Sequence, residues 1–120
     1  MRSLLCVFLT LFFISCSNSQ EIKSITTREL KTILSNDKIQ LLDVRTTSEI
    51  EQGFIETAVF SDVNKDGFYD SVSSVIDKKK PVYIYCRSGG RSMKASKILQ
   101  EKGYKVINVL GGYNAWKQEK

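Results

Sequence analysis

A chain of 120 residues, 42% hydrophobic and 26% charged, is sized and balanced for one folded domain rather than for a disordered tail. Eighteen Lys and Arg against thirteen Asp and Glu give a formal net charge of +5, but no basic run exceeds Lys78-Lys79-Lys80 and no aromatic-interleaved basic stripe occurs, which argues against a nucleic-acid partner. The chain has no histidine, so a Cys–His or Ser–His–Asp catalytic unit and a histidine-based zinc site are excluded, and its three scattered cysteines make no thiolate cage for a metal.

The chain opens with Arg2 and an apolar run from Leu4 to Ile14, broken only by Thr10. Those eleven residues fall well short of the roughly 20 that span a bilayer, and they fit the apolar centre of an export signal. Ser15-Cys16 follows, and then the polar stretch Ser17-Asn18-Ser19-Gln20. A small residue and a cysteine directly after the apolar run resemble a bacterial lipoprotein signal, with Phe13 where Leu is the commoner choice. The resemblance implies a signal over residues 1–16, cleavage before Cys16, a lipid on Cys16, and a protein held on the periplasmic side of a bacterial membrane. Ordinary signal cleavage is the alternative. Residues 17–20 then form a short linker, and residues 21–120 form the domain. Cys86 is the one thiol inside that domain, and a lone thiol in an exported chain is a candidate reactive group.

From residue 21 the pattern alternates between strand and helix. Glu21 to Ile25 reads as an opening strand. Thr26 and Glu29 have the spacing of a capping box for a helix ending near Asn36, with Leu30, Ile33 and Leu34 on one face. Ile39 to Val44 reads as a buried strand, Thr46 to Gln52 as a short helix stopped by Gly53, and Thr57 to Phe60 as a third strand. Asp62 to Gly67 is a polar loop. Phe68, Val72, Val75 and Ile76 have helical spacing, and Lys78-Lys79-Lys80 is placed to complement the end of that helix. Pro81 opens the strand Val82 to Tyr85. Arg91 to Lys102 predicts a helix with Met93, Ile98 and Leu99 to bury, and Lys105 to Leu110 the last strand. Gly111-Gly112 turns into a final helix carrying Tyr113 and Trp116. This order predicts an α/β fold: a parallel central sheet of about five strands, flanked by helices on both faces.

The segment Cys86-Arg87-Ser88-Gly89-Gly90-Arg91-Ser92 lies between a predicted strand and a predicted helix. Ligands of open α/β sheets bind beyond the carboxyl ends of strands, and Cys86 stands at such an end. Gly89 and Gly90 permit a tight curl with positive φ, and a curled loop turns successive N–H groups inward as an anion nest. The following helix adds the positive end of its dipole, and Arg87 and Arg91 add charge. Such surroundings favour the thiolate, so the pKa of Cys86 is expected to fall. Arg87 and Arg91 also read as surface residues, and Ser92 as a helix cap.

At this point the sequence resembles the rhodanese family. Cys86 to Ser92 matches the active-site loop, Leu41-Leu42-Asp43-Val44-Arg45 with Glu49 and Gly53-Phe54-Ile55 matches an early signature, and Leu110-Gly111-Gly112-Tyr113 with Trp116 a late one. The resemblance implies a rhodanese-like fold and a sulfurtransferase that carries sulfur as a Cys86 persulfide, with the loop from Arg87 to Ser92 holding the terminal sulfur. It implies no cofactor, a small anionic sulfur donor such as thiosulfate, and a thiol or protein acceptor. A monomer is expected. Phe54 stands where the family often has His, and Glu56-Thr57 where it has Pro-Gly, which bears on the shape of that connection. Asp43, Arg45 and Glu49 stand either at the rim of the site or in an internal ion pair.

Two other readings use the same residues. Phosphatase and arsenate reductase loops place one residue more between Cys and Arg than the four here, Arg87 to Gly90, and so form a wider ring of N–H groups. A non-catalytic module, or a persulfide carrier serving one partner, would preserve the same loop. The leader has its own test. Replacing Cys16 with Ala is expected to move the protein from the membrane pellet to the soluble fraction, and unchanged retention would point to an uncleaved anchor.

Overall fold

The computed structural model describes residues 21–119; the expectations on residues 1–20, the Cys16 lipid among them, lie outside the described residues. In chain order the elements are β1 (Lys23–Ile25), α1 (Thr27–Asn36), β2 (Gln40–Asp43), α2 (Thr47–Glu51), β3 (Val59–Phe60), α3 (Phe68–Val75), β4 (Val82–Tyr85), α4 (Gly90–Glu101), β5 (Val106–Val109) and α5 (Gly112–Gln118). The five strands form one sheet in the order β1-β5-β4-β2-β3, and every neighbouring pair is parallel. This is the architecture that the alternation predicts. Because all strands run the same way, their carboxyl ends share one edge. Asp43 pairs with Tyr85 and with Phe60 in register, so the residues that follow β2, β3 and β4 emerge side by side there.

Alternation along each strand feeds two cores. Leu42, Ile84 and Val106 pack with Phe68 and Val72 of α3 and with Ala95 and Leu99 of α4. Leu41, Tyr85 and Val109 pack with Leu30 of α1 and with Tyr113 and Trp116 of α5. Helices therefore cover both faces, which is why β4 is Val-Tyr-Ile-Tyr and β2 places Leu41 and Leu42 side by side, one toward each core. Cys86 belongs to the α3–α4 side, one residue beyond the end of β4.

Local chemistry sets the helix starts. Thr26 Oγ1 accepts from the Glu29 N–H at 3.1 Å. The reciprocal capping box forms instead at α2, where Thr46 Oγ1 accepts from the Glu49 N–H at 3.3 Å and Glu49 Oε1 accepts from the Thr46 N–H at 3.4 Å. Two expectations are corrected. Helix α4 buries Ser92, Ala95, Ser96 and Leu99, while Met93 and Ile98 stay half-buried. Small residues let α4 approach the sheet closely, and the Ser96 hydroxyl is satisfied by donating to the Ser92 carbonyl at 2.7 Å. The three lysines 78–80 do not cap α3, which ends at Val75 with no basic residue in its last turn. They lie in the connection to β4, where the Lys78 ammonium sits 5.1 Å from the Tyr104 ring centroid.

The connection after α2 keeps its turn without a glycine: Thr57 adopts φ 75°. A β-branched residue there costs about 1–2 kcal/mol, against which the extra freedom of an unfolded glycine must be set. Thr57→Gly is therefore expected to stabilise the domain by about 0.5–1 kcal/mol, seen as a rise of a few degrees in Tm by calorimetry.

Candidate active site

Three peptide segments meet at the carboxyl edge of the sheet: the loop after β4, the turn into α5, and α2. The loop is shaped from behind. The Cys86 carbonyl accepts the Tyr113 N–H at 2.8 Å, and the Arg87 carbonyl accepts the Asn114 N–H at 3.0 Å. These donors are free because they lie in the first turn of α5, which has no intrahelical acceptors for them. The approach is so close that a Cβ on Gly112 would collide with the Cys86 and Arg87 carbonyls. With those carbonyls turned outward, the N–H groups that follow turn inward.

The Cys86 sulfur lies under this loop. Its Sγ accepts the Gly89 N–H at 3.0 Å and lies 3.4 Å from the Ser92 hydroxyl, toward which a protonated thiol donates. Ser92 Oγ donates to the Gly89 carbonyl at 3.0 Å while Cys86 is protonated, and turns its single proton to Sγ when Cys86 is the thiolate. Cys86 is only 1% exposed, so it forms the floor of the loop rather than its mouth. Burial alone pushes the thiol up. Hydrogen bonding to the Ser92 side chain and to the backbone N–H groups of Ser92, Gly89 and Ser88 outweighs that and leaves its pKa below the ordinary value.

The remaining loop residues divide. Gly89 supplies the curl with φ 122°, whereas Gly90 needs no positive φ and is the first residue of α4. Ser92 does not cap α4, because the N-cap position is Gly89. Arg87 and Ser88 are exposed. Arg91 is not a free cation: its two terminal nitrogens donate to Glu49 Oε1 and Oε2 at 2.6 and 2.8 Å. Hydrogen bonding to Arg91 is the main cause that holds the Glu49 carboxyl down to about 2, with burial opposing it and Thr46 assisting. The expectation that two arginines charge the site is thus corrected to one, Arg87, with neutral donors closest to the sulfur.

Asp43 and Arg45 are 0% and 3% exposed, which places them in the interior rather than on the rim of the Cys86 loop. Asp43 Oδ2 accepts Arg45 Nη2 at 2.7 Å, and Asp43 Oδ1 accepts the backbone N–H and Nε of Arg45 at 2.9 and 3.0 Å. Arg45 Nη2 also donates to the Gly53 carbonyl at 2.8 Å, and its guanidinium lies 4.4 Å from the Tyr113 ring centroid. The pair clamps α2 and α5 to the end of β2. Glu49 is not part of it.

Sequence reading missed two features. The first is the grip of Gly112, Tyr113 and Asn114 on the loop carbonyls, for which the Gly-Gly pair was the available signal. The second is the Glu49–Arg91 pair, 42 residues apart, which leaves no local pattern. A cleft of about 250 Å³ opens on the same edge between Arg45, Phe60, Asp62 and Lys65, but no residue from 86 to 92 lines it. Among the described residues no cluster of three or more His, Cys, Asp or Glu is placed to hold a metal.

The Rhodanese-like domain profile matches residues 26–119. The chain belongs to the rhodanese-like family. It is 34% identical over 114 residues to thiosulfate sulfurtransferase 18 of Arabidopsis thaliana, covering 85% of this chain and 83% of that one. It is 38% identical over 85 residues to a sulfurtransferase of Allochromatium vinosum, covering 70% and 77%. A rhodanese-like domain protein from Staphylococcus aureus superposes with a TM-score of 0.72 at 40% identity, covering 79% of this chain and 91% of that one. This rhodanese-like chain is therefore a member of a sulfurtransferase family, and its loop can be tested as one. Ser92→Ala removes the side chain that does most to lower the Cys86 pKa. The pH profile of Cys86 alkylation by iodoacetamide is expected to move to higher pH in that variant, and an unmoved profile would show that the backbone donors alone hold the thiolate.

Proposed function

We propose that the protein transfers sulfane sulfur from a donor such as thiosulfate to a thiophilic acceptor through a persulfide on Cys86. The observation that carries this reading is the Cys86 Sγ held under inward N–H groups, with its thiol lowered in spite of burial. The thiolate attacks the outer sulfur of the donor. A bond forms from Sγ to that sulfur, the donor S–S bond breaks, and sulfite leaves with the electron pair. The terminal sulfur of the persulfide then carries the negative charge that the loop N–H groups are arranged to stabilise. Cyanide or a thiolate attacks that terminal sulfur, the Cys–S–S bond breaks, and the Cys86 thiolate returns. Two half-reactions of this kind give ping-pong kinetics.

Arg87, exposed beside the loop, supplies the cation that attracts an anionic donor. Phosphate or arsenate chemistry is less well supported, because the cation that would clamp a tetrahedral oxyanion, Arg91, is already bound by Glu49 through both nitrogens. Burial of the sulfur also suits persulfide carriage to one partner. Intact mass separates these readings. Thiosulfate is expected to add about 32 Da at Cys86 and cyanide to remove it as thiocyanate. A stable gain with negligible turnover would favour carriage, and no gain would refute sulfur transfer from thiosulfate. Cys86→Ser is expected to abolish both the gain and thiocyanate formation while leaving the circular dichroism unchanged.

A further inference from the structure

A wholly parallel sheet separates its two edges chemically. The catalytic loop occupies the carboxyl edge, and the opposite edge is rich in lysine. Lys38 precedes β2, Lys78, Lys79 and Lys80 precede β4, Lys102 and Lys105 precede β5, and Lys23 begins β1. All seven are exposed, and among the described residues none forms an ion pair. They also converge in space. The Gln40 side-chain amide next to Lys38 donates to the Asp77, Lys80 and Pro81 carbonyls at 2.9, 3.2 and 3.3 Å, and the Val82 N–H donates to the Lys105 carbonyl at 2.9 Å. Gly103 faces the Lys78 side chain. The acidic residues on this edge are Glu21, Asp37, Asp77 and Glu101, so seven lysines less four carboxylates leave three positive charges. At the catalytic edge two of the arginines are matched, Arg45 by Asp43 and Arg91 by Glu49, and Arg87 is the exposed cation of the loop.

Two further features suit a flat anionic surface. Val75, 52% exposed, projects from the end of α3 next to the lysines. A groove of about 370 Å³ lies between Lys38, Lys80, Pro81 and Tyr83. The chain also enters the domain on this edge, through Ile22, which packs on the core ahead of β1. Cys16 lies five residues before Glu21, a reach of at most about 18 Å. A lipid on Cys16 would keep the lysine edge within a tether's length of the headgroups, so that it can reach the roughly 8 Å over which their field acts at physiological salt.

We propose that this lysine face rests on an anionic phospholipid surface and leaves the catalytic loop turned toward solvent. The inference is independent of the sulfur chemistry. It is tested on the chain from residue 17 onward, because residues 21–119 hold the complete sheet and both cores, and the matched unit makes up 91% of the Staphylococcus aureus chain. Sedimentation is measured with phosphatidylcholine vesicles and with vesicles containing roughly one third phosphatidylglycerol. Binding is expected only to the anionic vesicles and is expected to weaken as salt rises. Replacing Lys78, Lys79 and Lys80 together with Gln is expected to weaken it by about tenfold or more. Replacing Lys65, Lys94 and Lys97 with Gln, an equal loss of charge elsewhere on the domain, is expected to change it by less than about twofold. Equal loss in the two triple variants, equal binding to both kinds of vesicle, or tighter binding to duplex DNA than to the anionic vesicles would overturn the proposal. The thiosulfate-dependent mass gain at Cys86, measured on the same samples, reports separately on sulfur transfer.

Discussion

The site depends on two backbone hydrogen bonds that contain no side-chain atom. The Tyr113 and Asn114 N–H groups draw the Cys86 and Arg87 carbonyls outward, and Gly112 makes room for that approach. A peptide unit has two ends. Once its carbonyl points away from the sulfur, the next N–H points toward it. The last helix of the chain thereby sets the polarity of a loop more than twenty residues earlier, and the Leu-Gly-Gly-Tyr segment becomes part of the site through its backbone.

Charge is used economically around this loop. Asp43 and Arg45 neutralise each other in the interior, where an unpaired partner would be costly. Their pairing joins β2, the carbonyl of Gly53 and the ring of Tyr113, so the element that orients the loop is itself clamped. Glu49 caps α2 and holds Arg91 with the same carboxylate. What remains closest to the Cys86 sulfur is a set of neutral donors, with Arg87 exposed in the loop. They lower the thiol by stabilising the thiolate through short hydrogen bonds, which burial strengthens even as it disfavours charge. A cradle of that kind suits a sulfur carrying one negative charge.

The same parallel sheet that gathers the site on one edge leaves the other edge to the lysine-rich connections. The fold thus gives the molecule a reactive side and a basic side, with the polypeptide entering on the basic one. The two sides differ in how their charges are handled: ion pairs absorb those of Arg45 and Arg91 around the loop, and solvent takes the lysines at the far edge.

Much of the fold was legible because its causes are local. The short apolar runs of β2 and β4, the capping threonines Thr26 and Thr46, and breaks at Gly53, Pro81 and Gly103 depend on neighbours a few positions away. The absence of histidine and the lone thiol at a strand end directed attention to Cys86 for the same reason. Helix α4 was misread where apolar count and burial part company, since Ser92 and Ser96 are buried for their small size and Met93 is not. The pairing of Glu49 with Arg91, the separate pairing of Asp43 with Arg45, and the hold of α5 on the Cys86 carbonyl were decided only by the tertiary structure. Each is a choice among partners distant in sequence, and that choice is made by which strand ends share an edge and how closely two backbones can approach, neither of which periodicity records.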